Sequence, residues 1–188
     1  MYVLWKTERK QMKLEESLII SYSYSGNTHR LAEQIQAVTQ GNWMEIYPRQ
    51  PYPVTFPELL EQVKQEVTSG FRPPLLPGAV SCRPYPIVFA GSPNWCGTIA
   101  PPLASWLYKN DLKGKIVLPF YSHCGGVVGD FQRDILRLCP KADVREALGI
   151  VNDGGKELTE TIRRWLARNG FSEETTTGGS ENEVYKAW

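Results

Sequence analysis

Ser21-Tyr22-Ser23-Tyr24-Ser25-Gly26-Asn27-Thr28 is the stretch that decides how this 188-residue chain is organised. It follows the apolar run Leu18-Ile19-Ile20. It precedes a helical pattern over 28–39, in which Leu31, Ile35 and Val38 fall on one face. A strand, a loop dense in hydroxyls with one glycine, and a helix start together make an anion site. The helix N-terminus offers unpaired backbone N–H groups and the positive end of its dipole. Ser23, Ser25 and Thr28 add hydroxyls, and Gly26 lets the backbone come close to a ligand. No Lys or Arg lies in the loop, so a phosphate there is held by neutral donors. The plainer alternative is a Ser-rich helix cap with no ligand.

Working outward, apolar runs alternate with amphipathic stretches. Trp43 to Tyr47 reads as a second strand, and Gly41 as the stop of the helix before it. Pro57 opens a second helix with Leu59, Leu60, Val63 and Val67 in its period. Residues 70–86 hold five prolines and two glycines and read as an extended loop. Pro86 to Ala90 is apolar throughout, the mark of a strand buried on both faces. It leads into the loop Gly91–Thr98, then a helix that starts at Pro101-Pro102 and turns Leu103, Trp106 and Leu107 inward. Ile116 to Tyr121 is a further apolar strand, followed by the loop 122–129. A helix from about Asp130 turns Phe131, Ile135 and Leu138 inward, Val144 to Val151 reads as the last strand, and 156–169 as the last helix.

Five strands alternating with five helices predict a doubly wound parallel sheet in three αβα layers. In such a fold ligands sit beyond the carboxyl ends of the strands, at the switch point of the topology. With strand order 2-1-3-4-5, the loops after strands one, three and four converge on one site.

The second loop offers Trp95, which can stack on a flat heterocycle, beside Gly97, whose peptide can turn either way. The alternative for Trp95 is a core aromatic, which its place outside any strand period opposes. The third loop holds His123 with Gly125, Gly126 and Gly129; His123 reads equally as a ligand neighbour or a hydrogen-bonded loop residue. Cys96 and Cys124 fall in converging loops. They read as ordinary thiols, with a redox pair as the sharper alternative.

Composition excludes several classes. The formal net charge is +1 with 22% charged residues, and no basic stripe marks a nucleic-acid binder. No apolar run reaches the roughly 18–20 residues of a membrane span. A cytoplasmic location is the resulting expectation. The four cysteines show no CxxC spacing and read as free thiols. There is no GxxxxGK[ST], no GxGxxG after the first strand and no GxSxG, which opposes an NTPase, a dinucleotide-binding Rossmann domain and a serine hydrolase. The end of the first strand carries no acidic pair, unlike a phosphate-accepting receiver domain. Residues 1–16 read as an N-terminal extension, with a frayed helix over 8–15 and an apolar tip at Met1–Trp5 that offers an oligomer contact. Residues 17–170 form the domain, and 171–188 a polar, flexible tail.

These three loops resemble those of the flavodoxin family. Ser23–Thr28 is similar to its T/S-x-T/S-G-N-T phosphate loop. Gly91-Ser92-Pro93-Asn94-Trp95-Cys96-Gly97-Thr98 is similar to its flavin loop, closest to a subgroup with G-S-P-x-W, and Pro119–Gly126 to that subgroup's third loop. The resemblance implies noncovalent FMN. Its phosphate would lie at Ser23, Tyr24, Ser25, Gly26, Asn27 and Thr28. The ring would lie against Ser92, Pro93, Asn94, Trp95, Cys96 and Gly97, with its other edge at His123, Cys124, Gly125 and Gly126. It also implies electron transfer to a redox partner protein or a small-molecule acceptor. Electron-carrier flavodoxins are markedly acidic and this chain is not, so carrier, NAD(P)H or quinone reductase, and a binding module that holds FMN or another phosphorylated ligand without turnover all stay open.

Overall fold

The computed structural model describes residues 13–78, 81–125 and 129–171. The chain runs β1 (Ser17–Ser21), α1 (Asn27–Thr39), β2 (Asn42–Glu45), α2 (Phe56–Ser69), β3 (Ile87–Trp95) and β4 (Thr98–Ile99). It continues through α3 (Pro101–Lys109), β5 (Ile116–His123), α4 (Phe131–Leu138), β6 (Asp143–Val144), β7 (Leu148–Val151) and α5 (Leu158–Arg168). The parallel sheet has the order β2-β1-β3-β5-β6. β7 continues the outer lane along β5, and β4 pairs antiparallel with β3. This is the expected order, since β4 is only the return of a hairpin.

Alternate side chains of each strand go to opposite faces, so the sheet builds two cores. Leu18, Ile20, Val88 and Val117 meet Leu59 and Val63 of α2, Leu103 and Trp106 of α3, and Phe131 and Ile135 of α4. Ile19, Phe89, Leu118 and Phe120 meet Leu31 and Ile35 of α1 and Ile162 and Trp165 of α5. β1 is buried at all five positions, as its unbroken apolar run requires. Gly91 has no side chain because the ring of Phe120 occupies the place of one.

Boundaries shift by a residue or more at most elements, with β5 running through His123 into the loop expected at 122–129, and three further differences bear on the packing. α1 ends on Gln40, in the left-handed region at φ 58°, rather than on Gly41; Gly41 is there because Ser17 lies against its α-carbon. The last strand is split. Val117 faces Val144 and Phe120 faces Leu148, so four steps on one strand oppose three on β5, a bulge of one residue. Side chains take over its backbone donors: Asn169 Oδ1 accepts from Glu146 N at 3.0 Å and Gln132 Oε1 from Ala147 N at 3.3 Å. Thirdly, Trp95 belongs to β3, because pairing with β4 carries that strand through Asn94 and Trp95. Near the start, Leu14–Glu16 form one short 3-10 turn with Leu14 fully buried. Lys13 ahead of it is extended and interrupts the helix expected over 8–15; residues 8–12, the Met1–Trp5 contact and the tail from 172 onward lie outside the described residues. Among the described residues, no helix is long and apolar enough to cross a membrane.

Candidate functional site

The carboxyl ends of β1, β3 and β5 open onto one cavity of about 400 Å³. It brings together Tyr24, Ser25 and Asn27 from the first loop, Pro93, Asn94, Trp95 and Cys96 from the second, and Ser122, His123, Cys124 and Gly125 from the third. The fourth wall is the apolar face of α2: Phe56, Leu59, Leu60 and Val63. The sequence reading missed that wall. Its signal was the doublet Leu59-Leu60, wider than a helix needs for its core alone, and Phe56 just ahead of Pro57. Among the described residues, no Lys, Arg, Asp or Glu lines the cavity.

The first loop is shaped as an anion cradle. Gly26 takes φ 91° at the N-cap of α1 and no side chain caps the helix, so its leading N–H groups are not taken by a cap. Ser23 Oγ is buried without a hydrogen-bond partner, which costs about 1–3 kcal/mol unless a ligand satisfies it. The Tyr24 hydroxyl donates to Pro53 O at 2.6 Å and ties the loop to the connection before α2. Thr28 turns away from the cavity: its hydroxyl shares a 2.8 Å hydrogen bond with Ser122 Oγ and is buried. His29, in the first turn of α1, pairs through Nδ1 with Glu45 Oε2 at 3.0 Å.

The second loop is a two-residue hairpin turn. Cys96 at φ 52° and Gly97 at φ 80° are both left-handed, the pattern of a type I′ turn. Cys at such a position is strained relative to Asn or Gly. Ser92, fully buried, accepts from Ala100 N at 3.0 Å and fastens the hairpin to the start of α3. Gly97 lies against Gly129, where a side chain would overlap its carbonyl, so the second and third loops touch through two glycines. Trp95 is half-buried. Tyr52, Tyr22 and Tyr24 stand edge-on to it at 4.9, 5.6 and 5.7 Å. Burial, with help from neighbouring Glu66, holds the Tyr52 and Tyr22 hydroxyls well above the ordinary phenol range, so both stay protonated.

In the third loop His123 Nδ1 accepts from Gly125 N at 3.2 Å. That leaves Nε2–H as the donor of the neutral ring. Cys96 and Cys124 are exposed free thiols on this cavity, whereas Cys82 and Cys139 are buried. Of the residues expected here, Ser23, Gly26, Thr28, Ser92 and Gly97 do not line the cavity, Ser23 facing a neighbouring pocket with Arg49 and Tyr52, and Gly126 lies outside the described residues. No group of three or more metal-binding side chains occurs among the described residues.

The family model described as Flavodoxin matches residues 16–169. The chain belongs to the flavodoxin family. Among solved structures, a flavodoxin-fold neighbour from Bacteroides uniformis, described as a flavoprotein, is 21% identical with a TM-score of 0.71, over 80% of this chain and 97% of its own. One from Bacteroides eggerthii, described likewise, is 24% identical with a TM-score of 0.70, over 81% and 96%. A flavoprotein from Lactobacillus acidophilus, solved in complex with FMN, is 18% identical with a TM-score of 0.64, over 80% and 98%. At these identities the likeness is one of flavodoxin fold. Among curated proteins nothing matches the chain.

Proposed function

We propose that this protein binds FMN noncovalently and passes electrons through it. The observation that carries the reading is one cavity, with no charged side chain among its described lining residues, that has Ser25 and Asn27 at the start of α1 on one side and Trp95 on the other. The chain's residues fit the group. Backbone N–H groups at the start of α1, with the hydroxyls of Ser23 and Ser25, would hold the phosphate without a cation. Trp95 supplies an aromatic surface for the ring system, and His123 Nε2–H a donor for its edge. The hairpin Cys96-Gly97 brings a flexible peptide to the same place. FMN itself would supply one- and two-electron chemistry; the protein supplies binding, orientation and electrostatics.

The resemblance of Gly91-Ser92-Pro93-Asn94-Trp95 to the G-S-P-x-W flavin loop supports the same reading. The apolar α2 wall, with Phe56 71% exposed beside the cavity, favours a small-molecule acceptor over a protein partner alone. Titrating purified apoprotein with FMN, followed by flavin absorbance and Trp fluorescence, tests the first part. Saturable binding with quenched fluorescence is the expected result, and a spectrum identical to free FMN would reject it. NAD(P)H oxidation with a quinone then separates a reductase from a carrier. FMN held without turnover by either route would leave a binding module.

A further inference from the structure

α2 carries one buried acid that the FMN reading does not use. Glu66 is 8% exposed in an otherwise apolar face. Such a group is costly unless its oxygens are satisfied. Both are: Oε2 accepts from the Tyr52 hydroxyl at 2.5 Å and Oε1 from Gln62 Nε2 at 2.8 Å. With both oxygens accepting, the carboxylate needs no proton of its own. Arg72, Arg137 and Asp134 border the same cleft of about 270 Å³. Arg137 pairs with Asp134 and Arg72 lies over the Tyr108 ring.

Tyr52 links this charge to the cavity. Its hydroxyl is tethered to Glu66, and its ring stands edge-on to Trp95 at 4.9 Å and 76°. Tyr22 touches both, at 6.1 Å from Tyr52 and 5.6 Å from Trp95. A ring gripped by three phenol edges has little freedom to rotate, and one of those edges is fixed by a buried anion.

We propose that Glu66 is a positioning residue that sets Trp95 through Tyr52, and that its buried charge disfavours negative charge on the ring Trp95 faces. The inference rests on the FMN reading. Reduction adds electrons to a flavin, and a fixed anion in a poorly polarisable surround opposes the added charge. By linkage, the ratio of affinities for oxidised and reduced FMN reports that opposition.

Apoprotein is titrated with oxidised FMN and, anaerobically with dithionite, with reduced FMN. Glu66→Gln keeps an acceptor for Tyr52 and removes the charge. Its affinity for oxidised FMN stays within about twofold, while reduced FMN binds about tenfold tighter. Tyr52→Phe keeps the charge and cuts the tether. It changes the near-ultraviolet circular dichroism of Trp95 in the apoprotein, identified as the signal lost in Trp95→Phe, and weakens oxidised FMN about threefold or more. An unchanged affinity ratio in Glu66→Gln overturns the charge effect; an unchanged Trp95 signal in Tyr52→Phe overturns the positioning role. If Glu66→Gln does not fold, Glu66→Leu with Tyr52→Phe removes the anion and its donor together and carries the same affinity comparison. Wild-type protein that binds neither form of FMN would overturn the function and the charge effect with it. The dichroism comparison still decides whether Tyr52 orients Trp95.

Discussion

At the scale of single residues, the hydroxyls of the first loop divide into two kinds. Thr28 Oγ1 is engaged with Ser122 across the fold, while Ser23 Oγ is buried with nothing to bond. The two therefore respond oppositely to removal. Ser23→Ala takes away an unsatisfied group, so the apoprotein is no less stable by urea unfolding, while FMN affinity falls roughly tenfold by titration. Thr28→Val strands Ser122 Oγ instead and lowers apoprotein stability by about 1–2 kcal/mol in the same unfolding experiment. That both residues matter to one loop was legible in the sequence, because hydroxyls before a helix start point to a cap or an anion. Which hydroxyl faces inward was not, since it depends on where β5 places Ser122.

At the scale of elements, two devices were hidden from the periodicity. The β3–β4 hairpin is one. Its turn has Cys96 at φ 52°, where Asn is the better residue, so Cys96→Asn raises stability by about 0.5–1 kcal/mol as a shift in urea midpoint at constant slope. Cys96→Val, β-branched at the same φ, lowers it by more than about 1 kcal/mol. The other is the break between β6 and β7. Asn169, 5% exposed, accepts from Glu146 N and donates to Glu146 O and Trp165 O. Asn169→Ala strands Glu146 N, while Glu146 O keeps Trp165 Nε1 and Trp165 O keeps Asn169 N, and it costs about 1–3 kcal/mol in thermal or urea unfolding. The stretch 144–151 alternates well enough to read as one strand. Only the side chains of Asn169 and Gln132, arriving from α5 and α4, show that its middle bonds elsewhere.

At the scale of the whole molecule, the packing sorts the four cysteines. Burial pushes the Cys139 thiol up to about 12 and raises that of Cys82, while Cys96 and Cys124 stand exposed at the cavity. A disulfide reagent applied to native protein should label Cys96 and Cys124 quickly and reach the other two only on unfolding. Bound FMN should slow the labelling of the first pair; equal rates with and without it would place the ligand elsewhere. The sequence by itself determined the layered α/β fold, the strand order and the three loops that meet. Unbroken apolar strands between amphipathic helices leave few other ways to bury both faces of a sheet. Only the tertiary structure decided that α2 closes the cavity, that Trp95 ends a strand inside a clamp of three tyrosines, and that Glu66 stands behind it. Those are contacts between residues far apart in the chain, and no local period encodes which side chains of two packed elements will touch.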